Sequence, residues 1–257
     1  MKIAITGKGG VGKSTLAAAL ALLMAGRGGE VLAFDSDPDA NLAQALGISG
    51  AEQAKIVPIS RQIALIEERT GAKVSEYGQV FKLNPRVNDV ADNYAYKLGN
   101  ISLLVLGAIK AGGSGCACPE NTFARALTTD LVLFKNQTLI MDMEAGIEHM
   151  GRATAQGVDV ILCVVEPGQR SIDCALTIDR MAKDIGHKRV EFVANKITGA
   201  NDEAFIAELL PRAPLGVIPM SDAVRAADRD GLSVLDTADP KLVAIFESIL
   251  MKLEAIA

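Results

Sequence analysis

Close to its start the sequence reads Gly7-Lys8-Gly9-Gly10-Val11-Gly12-Lys13-Ser14-Thr15. This is the pattern G-x-x-x-x-G-K-[ST], set between a strand-like run and a helix-forming stretch, the context in which it cradles phosphate. Gly9, Gly10, Val11 and Gly12 let successive backbone N–H groups turn inward, and the helix N-terminus adds its partial positive charge. Lys13 is then expected to reach the β- and γ-phosphates, Ser14 to offer its hydroxyl to Mg²⁺, and Thr15 to touch the α-phosphate. A glycine turn that merely packs helix on strand is the plainer reading, and the strand–loop–helix setting argues against it.

Two acidic strand ends accompany the loop. Phe34-Asp35-Ser36-Asp37-Pro38-Asp39 places three carboxylates at alternate positions after an apolar run. The carboxyl edge of a parallel sheet is where ligands bind. Asp37 is the candidate to orient or deprotonate an attacking water. Asp35 is assigned to the Mg²⁺ shell, and Asp39 to a helix cap. The second end, Thr138-Leu139-Ile140-Met141-Asp142, is followed by Gly146. Asp142 is expected to hold Mg²⁺ through water, and the Gly146 N–H to sense the γ-phosphate. For a base, Asn195 ends a late strand where it can read a ring edge, and Pro219 in Ile218-Pro219-Met220 closes over it. Asn195-Lys196 continues into Ile197-Thr198, so the guanine-reading pattern N-K-x-D is absent.

A third feature is Gly112-Gly113-Ser114-Gly115-Cys116-Ala117-Cys118-Pro119. Cys116 and Cys118, one residue apart on a glycine loop, can aim two thiolates at one metal. Two thiolates do not complete a site, and a two-fold dimer would supply the other two. Tetragonal geometry suits Ni²⁺, and tetrahedral S₄ suits Zn²⁺ or iron–sulfur. The plain alternative is a pair of inert thiols. Cys163 lies in an apolar run and Cys174 in a helical stretch, so both read as core. His149 reads as a hydrogen-bonded histidine and His187 as surface.

These residues need a frame, and the apolar pattern supplies one. Lys2 to Thr6, Val31 to Phe34, Thr138 to Met141 and Val160 to Val165 are too continuous for half-exposed strands and read as a buried parallel sheet. Val190 to Ala194 and Leu215 to Ile218 add two shorter strands. Helices are expected at Ser14 to Gly26, Ser171 to Ile185, Asp202 to Leu210 and Pro240 to Ile256. The alternation predicts an α/β fold, a doubly wound, mostly parallel sheet flanked by helices in a single domain. Residues 48 to 126 break the rhythm and read as an insertion, helical at Ile59 to Glu68, that carries the cysteine loop. The 257 residues are enough for a full core, and the net charge of -5 argues against a general nucleic-acid or membrane-surface binder. No stretch has the length of a membrane span or the form of a signal peptide, so a cytoplasmic location is expected.

Lys8 makes the phosphate loop the deviant form, and with it the chain resembles the MinD/ParA/nitrogenase-iron-protein class of P-loop ATPases. That resemblance implies ATP as the nucleotide, switch segments at the two acidic strand ends, and a homodimer in which Lys8 reaches the phosphates of the other subunit. Further motifs follow in order: Asp35-Ser36-Asp37-Pro38-Asp39, Leu83-Asn84-Pro85-Arg86-Val87, Gly115-Cys116-Ala117-Cys118-Pro119-Glu120 and Asp142-Met143-Glu144-Ala145-Gly146-Ile147-Glu148-His149. Over nearly the whole chain they resemble the CooC-type nickel-insertion ATPases. The resemblance implies a metallochaperone that closes on ATP, holds Ni²⁺ through both Cys-x-Cys pairs and resets on hydrolysis. Its client would be carbon monoxide dehydrogenase or the related acetyl-CoA synthase. Two other readings stand beside it. An iron–sulfur electron donor like the nitrogenase iron protein would spread its cysteines over two segments. A MinD- or ParA-like positioning switch of the membrane-attached kind needs a basic amphipathic C-terminus, and here Lys241 and Lys252 balance Glu247 and Glu254.

Overall fold

The four longest apolar runs become the centre of one sheet. The computed structural model describes residues 1–74, 76, 78–109, 119–134, 137–147, 152–187, 189–236 and 239–256. The strands are β1 (Lys2–Thr6), β2 (Val31–Asp35), β3 (Tyr96–Leu98), β4 (Ile101–Val105), β5 (Thr138–Asp142), β6 (Val160–Val165), β7 (Val190–Ile197) and β8 (Gly216–Pro219). Their order is β3-β4-β2-β5-β1-β6-β7-β8. Every neighbouring pair is parallel except the edge pair β3 and β4. Strands β2, β5, β1 and β6 lie side by side with both faces covered, which is why their sequences run apolar without alternation.

The helices are α1 (Lys13–Gly26), α2 (Leu42–Ala45), α3 (Gly50–Gln53), α4 (Ile63–Thr70), α5 (Val90–Tyr94), α6 (Pro119–Leu133), α7 (Arg152–Gly157), α8 (Gln169–Asp184), α9 (Ala200–Leu209), α10 (Asp222–Asp230) and α11 (Pro240–Ile256). They cover the two faces separately. On one face α4, α6 and α8 bury Ile66, Phe123, Leu127 and Ile178 with Phe34 and Phe192 of the sheet. On the other, α1 and α11 bury Leu16, Leu20, Phe246 and Leu250 with Ile3 and Ile5. The run of alanines in α1, Ala17 to Ala19 and Ala21, is fully buried and lets that helix lie close on the strands. Gly216 serves the same end, because a Cβ there would strike the Ile249 side chain of α11.

The expected insertion does not stand apart from the sheet. Residues 48 to 126 contain β3 and β4, and β4 pairs with β2 along its whole length, from Val31 opposite Ile101 to Asp35 opposite Val105. Ile101-Ser-Leu-Leu-Val105 is as apolar as the other central strands. Its identity was hidden because it follows β3 through a tight turn at Gly99 (φ 54°) rather than following a helix. Helices α6 and α10 were likewise unexpected, whereas α11 runs over the stretch read from sequence. No helix among the described residues is long and apolar enough to cross a membrane.

Candidate functional site: a phosphate loop between two acidic strand ends

The loop between β1 and α1 is shaped by glycines that cannot be replaced cheaply. Gly7 has φ 140°, and a Cβ there would run into the carbonyl oxygen of Val164 on β6. Gly12 has φ 100°, and a Cβ there would strike the Asn195 amide. Val11 is fully buried and pins the loop to the core. Gly12 is the N-cap of α1, no side chain caps the helix, and no acidic residue lies in its first turn. No described side chain therefore caps the N–H groups of Lys13, Ser14 and Thr15, which leaves them for a phosphate.

Lys13 is 7% exposed, and its ammonium lies 3.6 Å from Asp37 Oδ2. The loop lysine and the carboxylate picked out for water positioning thus face each other across the place a γ-phosphate would enter. Asp35 and Asp142 are opposite one another on β2 and β5 and are both fully buried. Burial first, and then the Asp142 charge, push Asp35 up to about 8. Its two oxygens accept the N–H groups of Asp37 (3.2 Å) and Leu42 (3.0 Å), so it holds the loop after β2. Asp142 differs. Burial pushes it up to about 6 against the opposing pull of the Ser14 hydroxyl and of Lys13, and neither carboxylate oxygen completes a hydrogen bond with a described residue. Two unmatched buried oxygens beside a serine hydroxyl fit Mg²⁺ and its water shell. Asp39 caps no helix; its N–H donates to Asp37 Oδ1 at 3.0 Å, and Asn41 occupies the N-cap of α2.

The two acidic strand ends are strapped to each other and to β1. Ser36 donates both its N–H and its hydroxyl to the Asp142 carbonyl, at 2.9 and 3.0 Å. The Thr6 hydroxyl lies 3.1 Å from the Glu144 carbonyl and 2.8 Å from that of Gly146, whose φ is 101°. A shift at either segment is thereby felt at the other.

On the far side of the loop, Lys8 makes an ion pair of 3.1 Å with Glu166. Glu166 also pairs with Lys196 at 3.2 Å, and Lys196 donates to the Gly10 carbonyl at 2.6 Å. Partial burial would raise Glu166, but the two lysines outweigh it and hold the carboxyl below its ordinary value. Glu166 was not picked out in the sequence, though an acidic residue ending the apolar run of β6 is the same signal that marked Asp35 and Asp142. Lys196 has φ 59°, unusual for a residue with a Cβ, and sits in a register shift of β7. That irregularity turns Asn195 and Lys196 toward the phosphate loop.

Asn195 does line a base-sized cavity of about 250 Å³, together with Gly10, Gly12, Thr15, Pro219 and Met220. Its amide nitrogen is already committed to the Val11 carbonyl at 2.7 Å, and its oxygen accepts the Lys196 N–H at 2.9 Å. Asn195 therefore braces the loop as well as facing the base. Cys116, Cys118 and His149 lie outside the described residues, and among the described residues no cluster of three or more His, Cys, Asp and Glu forms a metal site. Cys163 is buried, as expected of core. His187 corrects the surface reading: it is 7% exposed, and its ring nitrogens each lie 2.9 Å from a carbonyl, of Ala155 and Arg189.

Known proteins share this arrangement. Residues 2–234 match the CobQ/CobB/MinD/ParA nucleotide-binding domain. The chain is 43% identical to the carbon monoxide dehydrogenase accessory protein CooC of Rhodospirillum rubrum, over 92% of this chain and 90% of that one. It is 41% identical to an uncharacterized ATP-binding protein of Methanocaldococcus jannaschii, over 99% of both chains. The cell division ATPase MinD of Pyrococcus furiosus superimposes with a TM-score of 0.69 at 20% identity, covering 100% of this chain and 99% of that one, which shows the shared fold. With its phosphate loop and two acidic strand ends in that fold, the chain belongs to the CobQ/CobB/MinD/ParA nucleotide-binding family, in its CooC branch, and is an ATPase.

Proposed function

We propose that this ATPase is a metallochaperone that uses a nucleotide-driven homodimer to deliver nickel to carbon monoxide dehydrogenase or the related acetyl-CoA synthase. One observation carries the reading. The described residues on either side of the cysteine pair, Leu106 and Ile109 before it and Thr122 after it, line a cavity of about 550 Å³. Ser36 and Pro38 of the first acidic segment and Met143 and Glu144 of the second form the rest of its wall. The segment that carries Cys116 and Cys118 therefore starts and ends beside the two acidic segments, which supports a link between the cysteines and the nucleotide. The identity to CooC, a carbon monoxide dehydrogenase accessory protein, supports the choice of client.

In the mechanism that follows, the loop N–H groups and Lys13 bind the triphosphate, and Ser14 and Asp142 hold Mg²⁺, which supplies charge neutralisation at the phosphates when bound. Asp37 gives up Lys13 to the γ-phosphate and orients the attacking water. Lys8 leaves Glu166 for the phosphates of the partner subunit. Dimer closure brings two Cys116–Cys118 pairs together around one Ni²⁺, which is the cargo, and hydrolysis releases it. Zn²⁺ competes for the same four thiolates.

The test is Ni²⁺ titration of the purified protein with and without a non-hydrolysable ATP analogue, followed by equilibrium dialysis and sedimentation. One Ni²⁺ per two chains is expected, with affinity altered by nucleotide. Retention of parental Ni²⁺ affinity by the Cys116→Ser, Cys118→Ser double variant would overturn the reading.

A further inference from the structure

The motif Leu83-Asn84-Pro85-Arg86-Val87 takes no part in phosphate chemistry. It forms one wall of a groove of about 370 Å³ whose other wall is the outer side of α6, from Arg125 to Thr129, and the residue after it, Phe134. The loop is firmly set. Pro85 and Val87 are buried, with Val87 packed in the core beside α6, and Arg69 grips Asp89 with two hydrogen bonds of 3.0 and 2.9 Å. A loop held this way presents its outward side chains without an ordering cost on binding.

Two outward features mark this groove. Leu83 is 61% exposed and Phe134 is 70% exposed, although α6 already buries Phe123, Leu127 and Leu131 on its inner side. The core does not require either residue. Arg86 and Arg125 are exposed and have no carboxylate partner among the described residues, as is also true of Arg61, Arg170, Arg180 and Arg189, but these two line the same groove. The groove lining thus sets two guanidinium groups against one carboxylate, Asp130, on a chain of net charge -5. Apolar anchors flanked by free arginines make an interface that takes an apolar side chain set between carboxylates.

The position of the groove selects the partner. The first turn of α6, at Asn121 and Thr122, lines one cavity with Ser36 and Pro38 at the carboxyl edge of the sheet. The last turn lies at the opposite edge, where the Val132 carbonyl accepts from Lys2 at the start of β1. The groove therefore runs down the flank, away from the edge at which two phosphate loops would meet. A second copy closing over the nucleotide leaves it open. Arg125 lines both the groove and the cavity walled by the two acidic segments, so an occupant of the groove reaches a side chain of that cavity.

We propose that the groove between residues 83–88 and α6 is the docking surface for the client protein, which inserts an apolar side chain flanked by carboxylates. The inference rests on the client reading above. The experiment measures binding of purified, nickel-free carbon monoxide dehydrogenase to the full-length protein by calorimetry, with ATPase rate and Ni²⁺ binding as controls. Leu83→Asp and Arg86→Glu should each weaken client binding at least tenfold and leave ATPase rate and Ni²⁺ binding unchanged, and the Arg86→Glu deficit should shrink at high salt. Client binding by both variants at parental affinity would overturn the docking assignment alone. Loss of ATP-driven self-association in these variants with client binding retained would also overturn it, by giving the groove to a second copy. Absence of client binding by the parent protein in every nucleotide state would overturn the client reading, and the docking assignment with it.

Discussion

Asp142 should lower the stability of the metal-free protein in order to hold Mg²⁺, and Asp142→Asn exposes the cost. In the folded chain burial moves this carboxyl from 3.8 to about 6. A raised folded-state pKa means that the folded state binds more protons than the unfolded one between those values. Its penalty is negligible below pH 4, grows as pH rises, and is complete above pH 6. A shift of that size costs about 3 kcal/mol at pH 8, of which roughly half has accrued by pH 5. The amide of the variant cannot ionise, so the stability difference between variant and parent should widen in favour of the variant by roughly 1–2 kcal/mol from pH 5 to pH 8. Asp35 should add to this, because the Asp142 charge is the second cause of its rise to about 8. The assay is urea unfolding in EDTA at the two pH values. Saturating Mg²⁺ and ADP should reverse the order at pH 8, stabilising the parent and not the variant. A difference that stays flat or narrows with pH in EDTA would refute the argument that Asp142 is a desolvated, unmatched charge.

Two further outcomes follow from the loop. Gly12→Ala puts a methyl group against the Asn195 amide at a φ of 100°, a strain of about 1–3 kcal/mol at the centre of the cradle. ATP should bind roughly 5- to 100-fold more weakly by fluorescent-analogue titration, with the circular dichroism spectrum unchanged. Glu166→Gln removes the charge that holds Lys8 in its own subunit. Exposed pairs are weak, so nucleotide-driven self-association should shift to only about two- to fivefold lower protein concentration by sedimentation. An unaltered association curve would mean that the contact does not restrain Lys8.

Much of this was legible because phosphate chemistry constrains residue type and spacing together. The order Gly7 to Thr15 allows few geometries, and buried parallel strands announce themselves by continuous apolar runs. Ile101 to Val105 escaped that rule because it enters the sheet from an antiparallel edge partner and so lacks the helix that normally precedes a parallel strand. Glu166 escaped for another reason. Its importance comes from two lysines that are 158 and 30 residues away in sequence, and no local pattern records such a meeting. His187 was misplaced because a single histidine between Gly186 and Lys188 looks solvated, and the Ala155 carbonyl, 32 residues away, becomes its neighbour only when α7 packs near the start of β7.

The two lysines of the loop share one design. Each is held by a carboxylate of its own subunit at the rim of the phosphate site, Lys13 by Asp37 and Lys8 by Glu166. In the proposed cycle a triphosphate would outcompete both, because it carries more charge and would meet the lysines where the helix N-terminus also favours anions. Lys13 must give up Asp37 within one chain. Lys8, 39% exposed and paired on the outer side of the loop, would in the proposed dimer take the phosphates of another. Once the γ-phosphate leaves, each carboxylate stands where it can recapture its lysine. On the proposed cycle Asp37 and Glu166 would act as placeholders for phosphate, and the resting ion pairs would set how readily the site resets after hydrolysis.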